Sequence, residues 1–234
     1  MKPTLLFLPG LGADEALFRY QIDHLQDIVN PPCVEYRDSA TRTEMAEAAL
    51  QATSGPFALA GMSLGGWVAQ EVVHLAPHRV LKLALLNTWA RPQAPEFCEG
   101  WHRAIARVEQ GQYEQVLQEY LPSLFHPSRL VDRELIETFL AMCRRVGPAA
   151  YLRQLKAMAA LERHDSLPDL RLVGCSTLVI HGRQDRIFSL AEHEAIAGAI
   201  SKAKLAVIEE CGHESPLEQP HAVTAQLRTW LLNG

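Results

Sequence analysis

The sequence predicts an α/β fold: a doubly wound, mostly parallel sheet of about six strands, with helices on both faces and a helical insertion. Three observations carry that expectation. Short apolar runs of strand length alternate along the chain with stretches whose apolar residues recur at helical spacing. The strand-like runs are apolar at successive positions, as strands covered on both faces are. From about residue 91 to 168 the alternation stops, and only helical periodicity remains.

The elements follow in order. Residues 4–8 are a continuous apolar strand broken by Pro9-Gly10-Leu11-Gly12, after which Asp14 is placed to cap a helix running to about residue 28. A short strand at 33–36 and a helix at 43–53 come next. Phe57 to Gly66 reads Phe-Ala-Leu-Ala-Gly-Met-Ser-Leu-Gly-Gly, a strand, a sharp turn and the start of a helix to about residue 76. A strand at 80–87 completes the first half. The alternation resumes with a strand at 178–181, a helix at 190–200, a strand at 204–208 and a closing helix at 222–232. The core is therefore expected at 1–90 and 169–234. Residues 91–168 form the insertion, with stripes such as Tyr113, Val116, Leu117 and Tyr120 on one face and with Pro122, Pro127 and Pro148 as punctuation.

Composition narrows the function classes. A net charge of −5 without a basic tract argues against nucleic acid as a partner. The apolar runs fall far short of the roughly 18 residues that a membrane span requires. The apolar run at 5–8 is also shorter than the roughly 7–15 residues of a signal-peptide core, so it reads as a strand. Five cysteines (Cys33, Cys98, Cys143, Cys175 and Cys211) are odd in number and lack C-x-x-C spacing. That pattern points to free thiols in a reducing, cytoplasmic compartment. His74 and His78 have a metal-like separation, but Pro77 breaks the helix between them, so a structural role is expected. Gly10-Leu11-Gly12 lacks the third glycine of a dinucleotide site. Neither metal nor cofactor is expected, the partner is a small-molecule substrate, and the oligomeric state is not encoded legibly.

The stretch at 57–66 carries the chemistry. Gly61-Met62-Ser63-Leu64-Gly65 fits the G-x-S-x-G nucleophile elbow, in which a strained turn projects the serine hydroxyl from the sheet edge. Side chains two residues before and after the serine would collide where strand and helix cross, hence Gly61 and Gly65. A serine hydroxyl needs a base, and the base needs a third group to orient it. In a doubly wound sheet these groups lie just past the C-terminal ends of strands. Asp185 and His213 occupy such places, in the order Ser63, Asp185, His213 that this elbow motif requires. The N–H of Leu64, at a helix N-terminus, and that of Leu11, between two glycines, are the candidate oxyanion-hole donors.

With those residues in view, the chain resembles the α/β-hydrolase fold superfamily over nearly its whole length. The resemblance rests on Leu-Pro-Gly-Leu-Gly at 8–12, Gly-Met-Ser-Leu-Gly-Gly at 61–66, His-Gly-Arg-Gln-Asp at 181–185 and Gly-His-Glu-Ser-Pro-Leu-Glu at 212–218. It implies that the insertion at 91–168 is a lid shaping the substrate pocket. Many members carry His-Gly where this chain has Pro9-Gly10, which leaves the Leu11 N–H in place. The activity implied is hydrolysis of a small or medium carboxylic ester, thioester or lactone through an acyl-enzyme on Ser63. The alternatives are C–C bond hydrolysis or lyase chemistry by the same triad, or ligand binding on a hydrolase fold.

For the substrate, Trp67 and Trp89, near strand ends, are expected to contact it, together with some of the lid aromatics Phe97, Trp101, Tyr113, Tyr120 and Tyr151. The lid holds as many basic as acidic residues, so no charged substrate is indicated. Arg144 and Arg145 read as a solvated helix face rather than a carboxylate site. Glu214 and Glu218 read as solvated or helix-start carboxylates.

Overall fold

The structure, a computed structural model, describes residues 2–233. Five strands, β1 (Leu5–Leu8), β2 (Phe57–Met62), β3 (Val80–Leu86), β4 (Ser176–Gly182) and β5 (Ala203–Ile208), form one sheet in that spatial order, all pairs parallel. The helices are α1 (Arg19–Leu25), α2 (Arg42–Gln51), α3 (Leu64–Leu75), α4 (Pro95–Glu109), α5 (Tyr113–Leu124), α6 (Arg133–Ala160), α7 (Leu167–Leu170), α8 (Leu190–Ala199), α9 (Ser215–Glu218) and α10 (Pro220–Asn233). They cover both faces. Every residue of β1 and β2 is buried, as the unbroken apolar runs require. Each fully buried Leu or Phe there contributes about 1.5–3 kcal/mol.

The stretch expected as a sixth strand, 33–36, contributes only the isolated parallel bridge Phe7↔Cys33, with a second, Thr4↔Asn30, just before it. Pro31 and Pro32 lie between the two bridges, and a proline has no N–H to give a ladder. Its position still matters. The chain leaves β1 toward that edge and then crosses back to β2 on the other side of β1. Winding reverses between β1 and β2, and ligands of open parallel sheets bind outside the carboxyl ends of the strands at such a point.

Between β3 and β4 the chain is helical, as the periodicity predicts. The helix α6 is broken at Gly147 (φ 82°, ψ 163°), just before Pro148. A left-handed residue followed by proline cannot continue an α-helix, so the second half of α6 takes a new direction. Asp14 accepts a hydrogen bond from the Ala16 N–H and caps a short 3₁₀ turn, Glu15–Phe18, that leads into α1.

Candidate active site

The loops leaving β1 and β2 meet at the reversal point. Ser63 occupies the turn between β2 and α3 at φ 54°, ψ −119°, a conformation that costs a non-glycine residue about 1–3 kcal/mol. The surroundings hold it there. Its N–H donates to the Leu86 carbonyl at 2.9 Å, and its carbonyl accepts from the Thr88 hydroxyl at 2.7 Å. The flanking glycines are sterically required. A Cβ on Gly61 would lie 2.2 Å from the Gly65 carbonyl oxygen, and one on Gly65 would lie 2.0 Å from that of Leu8. Strand, helix and the neighbouring strand β1 all cross at this spot.

The structure brings Ser63, Asp185 and His213 together. The Ser63 Oγ lies 2.9 Å from His213 Nε2, and His213 Nδ1 lies 2.9 Å from Asp185 Oδ2. Asp185 sits in the loop after β4 and His213 in the loop after β5. The Asp185 carboxylate is fully satisfied. Its Oδ1 accepts the N–H groups of Ile187 and Phe188, and Oδ2 also accepts from the Asn87 side chain at 3.0 Å. Burial alone would raise its pKa, but the imidazole and these donors outweigh burial and hold the carboxyl below its ordinary value. Burial likewise works to lower His213, and the Asp185 charge and hydrogen bond reverse this, leaving the imidazole above its ordinary value.

Two backbone N–H groups are the expected oxyanion-hole donors. Leu64 is the first residue of α3, so its N–H has no partner within the helix and lies at the positive end of the helix dipole. Leu11 lies on the wall of the cavity in front of Ser63. The loop around Leu11 is pinned from several sides. The Gly12 N–H donates to Gln154 Oε1 at 2.9 Å, the Tyr36 hydroxyl donates to the Pro9 carbonyl, and Arg145 forks onto Asp14 at 2.8 and 3.0 Å. A hydroxyl bonded to an imidazole that a carboxylate orients is an arrangement suited to acyl transfer.

In front of the serine lies a cavity of about 80 Å³. At about 10–15 Å³ per water, it has room for several water-sized groups. Leu11, Ser63 and His213 form its sheet side; Phe97, Trp101, Tyr120, Phe139 and Tyr151 belong to the helical side. Of the expected lid aromatics, Tyr113 is absent from the lining, because its hydroxyl donates to the Cys143 carbonyl behind the wall.

Trp67 and Trp89, expected to touch substrate, do not line this cavity either. Trp67, in the first turn of α3, is buried under the Arg42 guanidinium, 4.7 Å above its ring, and stacks on Trp89 at 5.5 Å. Trp89 in turn stacks on Phe188 at 4.8 Å, and Phe188 forms the wall. The tryptophans back the cavity from behind. Arg144 and Arg145 are exposed on α6, as the solvated-face reading expects; there Arg144 pairs with the exposed Glu114 and Glu137, and Arg145 pairs with the buried Asp14.

The two glutamates after His213 also differ from expectation. Glu218 is fully buried and clamps two segments, accepting the Gly212 N–H at 2.9 Å and the His126 N–H at 2.7 Å. Glu214 is buried and lines the cavity. Burial pushes its carboxyl up to about 7.

Asn87, which sequence reasoning passed over, is the residue that links the parts. It sits just past β3 at φ 45°, a left-handed conformation asparagine tolerates. Its amide donates to Asp185 and its carbonyl oxygen accepts the Ser215 hydroxyl at 2.6 Å. Its place just beyond a strand end was the available signal. Gln154 carried none, since nothing in a helical glutamine announces a partner far away in the chain.

Comparison with known proteins agrees with this architecture. Residues 3–220 match the alpha/beta hydrolase fold family, and the chain belongs to it. A thermophilic esterase from Thermogutta terrifontis superposes with a TM-score of 0.89 at 30% identity, over 99% of this chain and 90% of that one. The chain is 28% identical to the dihydrolipoyllysine-residue acetyltransferase component of an acetoin cleaving system from Cupriavidus necator, covering 97% of this chain and 63% of that relative's length. It is 25% identical to 3-oxoadipate enol-lactonase 2 from Acinetobacter baylyi, over 97% of this chain and 89% of that protein.

Proposed function

We propose that the protein is a serine hydrolase that cleaves a small or medium carboxylic ester, thioester or lactone, with residues 91–168 as the lid over its substrate. The observation that carries this reading is the continuous chain Ser63 Oγ to His213 Nε2 to Asp185 Oδ2 at 2.9 Å per link, opening onto a mostly apolar cavity. The chain's similarity to an esterase and an enol-lactonase supports the same class of substrate.

The geometry runs the reaction in two halves. Ser63 Oγ attacks the carbonyl carbon while its proton passes to His213 Nε2. The carbonyl electron pair moves onto oxygen, where the Leu11 and Leu64 N–H groups hold it. Collapse expels the alcohol, thiol or ring oxygen, which takes the proton from the imidazolium. Water then gives a proton to His213 and attacks the acyl-enzyme, and release of the acid restores the Ser63 hydroxyl. Asp185 keeps the imidazole in the tautomer that presents Nε2 to the serine and stabilises its charged form. The five cysteines are unpaired, in keeping with a cytoplasmic setting.

Intact-mass analysis after treatment with a fluorophosphonate tests the nucleophile, alongside hydrolysis of short-chain aryl esters. One adduct is expected on the wild-type protein, and none on Ser63→Ala or His213→Ala. Ser63→Ala should lower ester kcat by about 10⁶-fold, toward the uncatalysed background. Full esterase activity in Ser63→Ala defeats the assignment. Labelling of Ser63 without turnover of any ester, together with cleavage of a β-diketone, turns the reading to C–C chemistry.

A further inference from the structure

The cavity has one charged side chain that the reaction above does not use. Glu214 is 7% exposed, and its carboxyl has no hydrogen-bond or ion-pair partner among the described residues. The carboxyl is not among the fully enclosed polar groups left without a partner, so its oxygens still open onto the cavity, where a substrate donor can replace water. Its backbone N–H is tied to the Leu124 carbonyl, which fixes the main chain at the cavity rim. The thiol of Cys143, on α6 and in the lining, is pushed up first by burial and next by the Glu214 charge, which places the two groups near one another.

The rest of the lining decides what the carboxyl can meet. No lysine or arginine is part of it, and the nearby Arg144 and Arg145 are engaged elsewhere. The hydroxyls of Tyr120 and Tyr151 also find no partner among the described residues. The remaining helical wall is apolar. A carboxylate on the substrate would meet Glu214 with no cation to compensate. A substrate ammonium would have to leave water for a site where the adjacent His213 becomes positive during the reaction. A hydroxyl fits both protonation states of Glu214, donating to the carboxylate or accepting from the acid.

Building on the serine-hydrolase reading, we propose that Glu214 is the specificity determinant of this cavity, binding a hydroxyl group on an otherwise apolar, uncharged acyl or alcohol part and excluding carboxylated substrates. Tyr120 and Tyr151 are placed to complete that hydrogen-bonded end of the pocket.

The test compares kcat/KM for methyl butanoate, its 2-, 3- and 4-hydroxy derivatives, the pair propyl butanoate and 2-hydroxyethyl butanoate, and monomethyl succinate. These are assayed on wild type, Glu214→Gln and Glu214→Leu. For the wild type, at least one hydroxylated ester should exceed its parent by about ten- to hundredfold, the range of one hydrogen bond to a charged group. Monomethyl succinate should fall below methyl butanoate. Glu214→Leu should erase the hydroxyl preference, while Glu214→Gln keeps part of it and relieves the exclusion of succinate. The proposal is overturned if no hydroxylated ester is preferred, or if Glu214→Leu retains the preference. Fluorophosphonate labelling of each variant separates the two readings. A labelled Ser63 with no hydroxyl preference defeats only the role of Glu214, whereas an unlabelled wild-type Ser63 defeats both.

Discussion

The two walls of the cavity are held by different means. On the sheet side, Ser63, Asp185 and His213 each follow a different strand, and their positions are set by backbone that cannot move. A Cβ on Gly61, Gly65 or Gly182 would lie within about 2.2 Å of a backbone carbonyl oxygen, so the crossings tolerate no drift. On the helical side, the wall consists of side chains from three helices, one of which bends at Gly147. It is tied back to the sheet at a few points: Gln154 to Gly12, Arg145 to Asp14, and the Leu124 carbonyl to His213. The difference teaches that the chemistry resides in backbone geometry, and the choice of substrate in side chains that the geometry leaves free to vary.

The largest effect expected from breaking this division is on the sheet side. Asp185→Asn keeps the shape of the site, but its amide would donate to the Asn87 amide or to His213 Nδ1 and favour the wrong imidazole tautomer. A fall in kcat of about 10⁴-fold is expected, with KM nearly unchanged and the circular dichroism spectrum preserved. A loss below tenfold would mean that another carboxylate, Glu214 being nearest in sequence, orients the imidazole.

How much of this was legible follows the same division. The elbow glycines, the triad and its order could be read because each element demands a particular residue at a particular spacing. Asp185 and His213 could be assigned because the strands before them are plain apolar runs. The edge segment at 33–36 misled because prolines beside it remove ladder donors without changing its apolar character. Trp67 and Trp89 misled for another reason. Proximity to a strand end does not say which way a ring points, and here Arg42 and Phe188 hold the rings behind the wall. Glu214 reads as a solvated or helix-start carboxylate; it does stand at the start of α9, but a glutamate beside a histidine gives no sign that it will be buried.

The pH dependence joins the two walls. His213 must be neutral to accept the Ser63 proton, so kcat/KM should fall about tenfold per pH unit below the imidazole pKa. Because that value is raised by Asp185, with a smaller contribution from Glu214, the acid limb should begin above the ordinary histidine range, near 6.5. A negative neighbour raises an imidazole and its removal lowers it. Glu214→Gln should therefore move the acid limb to lower pH, measured as kcat/KM for an uncharged aryl ester between pH 5 and 9. An unmoved limb would show that the Glu214 carboxyl is too far from His213 to be felt.

The smallest effect tests whether the helical wall reaches the chemistry through the loop after β1. Gln154 is buried and makes no hydrogen bond to the triad among the described residues, yet its Oε1 is the acceptor for the Gly12 N–H, one residue beyond Leu11, the proposed oxyanion-hole donor. Gly12 has little freedom to respond. Its φ is +67°, and a Cβ there would lie 2.8 Å from the Tyr151 ring. Gln154→Leu leaves the Gly12 N–H buried without a partner, at a cost of about 1–3 kcal/mol that the loop can relieve only by shifting. A shift of the loop carries the Leu11 N–H away from where the oxyanion forms. Loss of a whole donor costs about 10²–10³ in kcat, so a displaced one should cost about tenfold. The loss should appear in kcat with KM little changed, because the interaction strengthens only as charge develops on oxygen. Gln154→Glu, which keeps the acceptor, should restore most of it. If Gln154→Leu alters KM alone, the helical segment serves only as a cover, and the two walls are independent.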